Sequence, residues 1–372
     1  MDKGLDIERL ALIAVAHAAM QSRHEPLLRL IYFINRNCLE GKSVEAQSRE
    51  LKREAGSFGQ PLDWAVKERC ERWLATSGNR LLAFGDQAYP SLLQKIPKPP
   101  PVLFACGRSE LLLATQIAVV GSRRATAAGR ENAYELARGL ADAGLVVTSG
   151  LASGIDSAAH RGALDATGAT VAVFGCGIDR IYPSTNRDLA LEIAADGVLL
   201  SEFPLGYAPT KYSFPQRNRV ISGLAVGTLV VEAAQTSGSL ITALQALEQG
   251  REVFAVPGPI RSALSKGCHA LIRQGAVLTE TVEDVLQEFP SFERTKLTGD
   301  SRPESLALPS LTAREAHILE SCDFEPIAFD QLVDKTGLTA PEVSSILVAL
   351  EMKGLVRSDR GGAFVRTGRA HS

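Results

Sequence analysis

Two stretches carry residue types suited to gripping phosphate. Gly121-Ser122-Arg123-Arg124 places two arginines after a small-residue turn. Lys211-Tyr212-Ser213-Phe214-Pro215-Gln216-Arg217-Asn218-Arg219 interleaves three cations with two aromatics in nine residues. Glycine lets an anion approach the backbone, and a helix N-terminus adds exposed N–H groups and the positive end of a dipole. Arginine grips phosphate through two parallel hydrogen bonds. Lysine and arginine neutralise phosphates, while Phe or Tyr stacks on an unpaired base. Gly121, Ser122 and Arg123 are therefore candidate phosphate contacts. Lys211, Phe214, Arg217 and Arg219 are candidates for a nucleic acid, single-stranded rather than duplex because stacking needs an unstacked base. The plainer alternatives are a tight turn with two solvated arginines, and an exposed loop anchored by Phe214.

A third stretch, SGLASGID (Ser149–Asp156), has the same small-residue character. It adds Ser149, Gly150 and Gly154 to the candidates. Asp156 would sit in the first turn of a helix, where an acid favours the dipole. His160, one turn later, reads as a packed helix histidine rather than a base. Glu232 could be a catalytic carboxylate, but ion pairing with an arginine such as Arg219 is the preferred role.

Competing chemistries lack their motifs. Gly175-Cys176-Gly177 is followed by Arg180 where a dinucleotide fingerprint needs glycine. No Walker loop is present. The six cysteines are scattered without a C-x-x-C pair, which favours reduced thiols in the cytoplasm over disulfides or zinc. No cofactor or metal is expected.

Elements that could position these loops follow from the pattern. Short apolar runs (IAVVG, LVVTSG, TVAVFG, GVLLSEF, GTLVVEAA, REVFAVPG) alternate with helical segments. That order predicts βαβ units in a three-layer α/β sandwich, with the candidate loops at the carboxyl ends of parallel strands. Thr126 is placed to cap the first of these helices and Gly250 to end a later one.

The 372 residues suffice for two or three domains, and the net charge of −2 means that any nucleic-acid contact must be local. Residues 1–80 read as helical. Leu81 to Cys106, with the run Pro97-Lys98-Pro99-Pro100-Pro101, reads as an extended crossing between domains. The core spans 81–292, a polar linker 293–308, and three helices with a Gly361-Gly362 hairpin make 309–372 a winged helix. Its third helix, APEVSSILVALEMKG, is acidic and suits protein contact better than a major groove. The first twenty residues read as an ordinary amphipathic helix rather than a signal peptide, and no membrane span is expected.

With these residues in view, the chain resembles the bacterial DNA-processing protein A (DprA/Smf) family. The resemblance rests on Tyr89-Pro90, the proline-rich run, VGSR (Val120–Arg123), SGLASGID, VFGCGID with Tyr182-Pro183, SEFPLG, FPQRNRVISGL, VVEAAQTSGSLITA, FAVPGP and ALIRQGA. It covers residues from about 80 to 290. It implies an extended Rossmann-like domain, flanked by an N-terminal helical (SAM-like) domain and a C-terminal winged helix. It also implies a non-enzymatic homodimer that binds single-stranded DNA and loads the RecA recombinase during natural transformation. Arg123 would be its phosphate-gripping arginine. His269 stands where the family usually has asparagine, and no DNA role is assigned to it. Two rivals remain. One is a nucleotide-processing phosphoribohydrolase of the same superfamily, although VVEAAQTSGSLITA lacks that enzyme's PGG and second glutamate. The other is a winged-helix regulator with an α/β effector domain.

Overall fold

The computed structural model describes residues 65–166, 170–290, 312–322, 327–352, 355–359 and 363–366. Of the expected N-terminal helical domain, residues 1–64 lie outside the described residues, and 65–80 hold α1 (Ala65–Leu74) and the start of a strand at Asn79; the expected linker lies wholly outside them.

Among the described residues, nine strands form one sheet in the order β1-β2-β6-β5-β4-β3-β7-β8-β9. They are β1 (Asn79–Ala83), β2 (Val102–Gly107), β3 (Gln116–Val120), β4 (Val146–Ser149), β5 (Thr170–Phe174), β6 (Val198–Ser201), β7 (Gly227–Val230), β8 (Glu252–Ala255) and β9 (Val277–Leu278). From β6 to β9 every pairing is parallel. Intervening helices are α2 (Ser91–Gln94), α3 (Ala127–Asp142), α4 (Ile155–Ala166), α5 (Arg187–Asp196), α6 (Ser213–Leu224), α7 (Gly238–Glu248), α8 (Lys266–Arg273) and α9 (Val282–Gln287).

One sequence reading changes. Leu81 to Cys106 is not a crossing between domains, because β1 pairs antiparallel with β2 and β2 antiparallel with β6. The prolines do exclude regular structure, but only between α2 and β2. There the Tyr89 hydroxyl donates to the Pro100 carbonyl at 2.6 Å.

The central strands are mostly apolar because both faces are covered. Alternate residues serve opposite layers. Ile117, Val119, Val147 and Leu229 pack with Ala133, Ala137 and Leu140 of α3 and Ala159 and Ala163 of α4. Ala118, Val120, Val146 and Val230 pack with Val220 and Ile221 of α6, Ala243 of α7 and Leu271 of α8. Thr126 caps α3, its hydroxyl accepting from the Gly129 amide at 2.9 Å.

The described residues between 312 and 366 form a winged helix: α10 (Ala313–Ser321), β10 (Ile327–Ala328), α11 (Phe329–Thr336), α12 (Ala340–Met352), β11 (Val356–Asp359) and β12 (Ala363–Arg366). Its sheet order is β10-β12-β11, and both pairings are antiparallel. Ile318, Leu332, Val343, Leu347 and Val356 share its core. No described helix is long and apolar enough to cross a membrane.

Candidate nucleic-acid interface

The sheet order reverses beside β3. The chain steps outward through β4, β5 and β6, then returns to β7 on the other side of β3. The following helices, α3 and α7, leave to opposite faces. Such a switch point opens a crevice outside the carboxyl ends of the strands. A cleft of about 690 Å³ lies there.

Its floor is built by interlocked loops. The Ser122 amide donates to the Glu232 carbonyl at 2.7 Å, and the Ile155 amide donates to the Ser122 carbonyl at 3.2 Å. Gly154 has φ +85°, and a Cβ there would lie 2.3 Å from the Ser122 oxygen. Only glycine lets the second loop approach the first so closely.

Arg123, Arg124 and Lys211 stand exposed at the cleft. Phe214 also lines the cleft, with the Arg123 guanidinium carbon 5.2 Å from its ring centroid. The ring fits against Gly175, where a Cβ would come within 2.9 Å of its Cδ1. Opposite, α7 presents its N-terminal turn: Ser237 accepts from the Ser239 amide, and Ser237, Gly238, Ser239 and Thr242 line the wall. Cations, the start of a helix and an aromatic ring thus converge on one opening. That combination suits a phosphodiester with an unpaired base.

Arg217 also borders the cleft, but it is only 4% exposed. Its Nη1 donates to the Gly150 carbonyl at 2.6 Å and the Val173 carbonyl at 2.5 Å. It therefore ties the ends of β4 and β5 together. Burial pushes its pKa down to about 10, so it stays charged at neutral pH. Asp156 accepts from the Gly150 amide at 3.1 Å and the Ala152 amide at 3.4 Å. Burial pushes its carboxyl upward, opposed by Arg217 and by those amides.

The sequence candidates thus divide by position. Gly121, Ser122, Arg123, Lys211, Phe214 and Arg217 meet at the cleft. Ser149, Gly150 and Gly154 stand behind it; the Ser149 hydroxyl donates to the Val119 carbonyl at 2.6 Å. Arg219 lies outside the lining, ion-paired with Glu202 and donating to the Lys98 carbonyl at 2.9 Å. Glu232 does not pair with Arg219. It accepts from the Thr126 amide at 2.9 Å and the Thr126 hydroxyl at 2.6 Å, serving the start of α3. His160 is a packed helix histidine, as its position suggested, bonded to Thr170 at 2.7 Å. His269 bonds the Gly258 carbonyl at 3.0 Å. The wall from Thr236 to Ser239 was not among the candidates, although its serine–glycine run at a strand-to-helix junction was the available signal.

The family model for DNA recombination-mediator protein A matches residues 80–290, and a DprA winged helix domain model matches residues 302–362. The chain belongs to the DNA recombination-mediator protein A family. Protein Smf of Escherichia coli K12 is 39% identical over 307 residues, 80% of either chain. The X-ray structure of DNA processing protein A from Streptococcus pneumoniae is similar at TM-score 0.59 and 34% identity, covering 77% of this chain and 98% of that one. DNA processing protein A from Helicobacter pylori, whose structure is described in terms of its single-stranded DNA binding mode, aligns at TM-score 0.52 and 29% identity, over 57% of this chain and 96% of that one. The extended Rossmann-like sheet and the winged helix are thus a DNA recombination-mediator architecture, and recombination mediation in DNA processing is the role the chain shares.

Proposed function

We propose that the switch-point cleft binds single-stranded DNA and that the chain, as a homodimer in the cytoplasm, delivers that strand to the RecA recombinase during natural transformation. The observation that carries the reading is Arg123 seated over Phe214 in a cleft bordered by Lys211, Arg124 and the start of α7. A phosphate meets the cations while a base meets the ring, so binding is tight with little sequence preference. The Helicobacter relative's single-strand binding supports this reading. Two clefts on a dimer would engage one strand and raise affinity through effective concentration.

The cleft holds a strand rather than cleaving it. Asp156 is committed to backbone amides, and Glu232 to the start of α3. Neither is free to act as a general base. The winged helix, residues 309–372, serves protein contact: α12 offers no cation to a phosphate, presenting Glu351 on its exposed surface and a half-buried Glu342 that pairs with Arg314.

The test is a fluorescence-anisotropy titration of a labelled single strand with duplex competitor, across a salt series. Salt-sensitive binding that prefers the single strand is expected. Preference for duplex, or release of free base from a nucleotide, would overturn the reading. Loading is tested by whether the protein lets RecA form filaments on strands coated by single-strand-binding protein.

A further inference from the structure

We propose that Tyr182 is a second base-stacking residue, which guides a bound strand out of the cleft past Phe214 along the carboxyl ends of β5 and β6. The inference rests on the single-strand reading above.

Tyr182 lies in the loop after β5, and its side chain is 49% exposed. Its ring centroid is 5.5 Å from that of Phe214, with the planes tilted by 40°. Phe214 in turn carries the Arg123 guanidinium at 5.2 Å. Cation, ring and ring therefore follow one another, from the loop after β3, the first turn of α6 and the loop after β5. Phe214 is backed by the bare backbone of Gly175. It is thereby fixed in place, and Tyr182 leans against it without being covered itself. Tyr182 does not line the cleft but touches Phe214, which does, so it stands at the edge of the opening, where a bound strand could leave.

The surroundings suit that exit. Arg180, two residues before Tyr182, is exposed. The neighbouring Asp179 uses one carboxylate oxygen to accept from the Gly206 amide at 2.8 Å. Stacking needs a π-face and tolerates any base, so a second ring would lengthen the footprint without adding sequence preference.

The experiment uses the full chain and oligo-deoxythymidine strands, each with one 2-aminopurine placed at successive positions. Stacking quenches this base. Quenching is expected at two separate positions. Tyr182→Ala should restore the signal at one and spare the other, and weaken affinity about tenfold. The salt dependence should not change, because no charge is removed. Tyr182→Phe should behave as wild type. Quenching that Tyr182→Ala leaves intact at both positions, or abolishes at both, would overturn the inference; the second result makes Tyr182 a support for Phe214. A strand bound with a salt dependence that Arg123→Ala reduces, yet quenched at one position only, would sink the Tyr182 proposal and leave the single-strand reading standing. No binding by wild type would sink both.

Discussion

The Arg123 guanidinium carbon lies 5.2 Å from the centroid of the Phe214 ring, although Arg123 sits in the loop after β3 and Phe214 in the first turn of α6. The contact is a cation–π pair at an exposed site. If the cleft binds a single strand as proposed, a phosphate at Arg123 places its base near Phe214.

Arg123→Ala is expected to weaken single-strand binding at least tenfold at moderate salt. It should also lower the slope of log affinity against log salt by about one. The side chain is exposed, so the thermal midpoint should hold. Unchanged affinity and slope in anisotropy titrations would remove the cleft as the binding site.

Arg217→Ala should act on the fold first. It leaves the Gly150 and Val173 carbonyls without their donor and Asp156 without its nearby cation. Breaking a buried charge arrangement costs about 3–5 kcal/mol. Urea unfolding should register that loss. Arg217→Lys should recover only part of it, because one ammonium cannot reproduce the guanidinium fork. Full stability with selective loss of DNA binding would instead make Arg217 a direct phosphate contact.

Glu232→Ala removes the acceptor for the Thr126 amide and hydroxyl. The expected cost is about 1 kcal/mol, as for losing a helix cap. Strand affinity should stay within about twofold of wild type. A large affinity loss without any shift in the denaturation midpoint would contradict the structural role.

His160 makes a testable pH dependence. The Thr170 hydroxyl donates its one proton to the Val147 carbonyl at 2.8 Å, so it accepts from His160 Nδ1. Nε2 is then an unprotonated nitrogen, buried and without a hydrogen-bond partner among the described residues. Burial, aided by the Arg217 charge, pushes the imidazole down to about 3. An unfolded histidine takes up its proton near pH 6.5, as a rough reference. Between those values the unfolded chain binds the extra proton, so this contribution to stability is complete above about pH 6.5 and is lost as pH falls toward 3. Asp156 and Glu202, both pushed upward by burial, act with the opposite sign. The difference between wild type and His160→Gln isolates the histidine: the variant should lose less stability than wild type from pH 6.5 to 4.5. Parallel curves would refute the buried neutral state.

The sequence alone determined the alternating α/β core, the winged helix and the positions of the anion-seeking loops. Those depend on local rules: apolar runs for strands buried on both faces, small residues at strand-to-helix junctions, and cations beside aromatics. Thr126 as a cap and His160 as a packed histidine were legible for the same reason. The tertiary structure decided which cations face solvent. Arg217 and Arg219 stand two residues apart in one helix, yet the first is buried against strand-end carbonyls and the second pairs with Glu202. Their types and spacing could not separate those fates, because each partner comes from a distant strand or loop. The same holds for Leu81 to Cys106. Whether that extended segment crosses between domains or extends the sheet depends on the free edge of β6, and only the folded chain brings that edge alongside it.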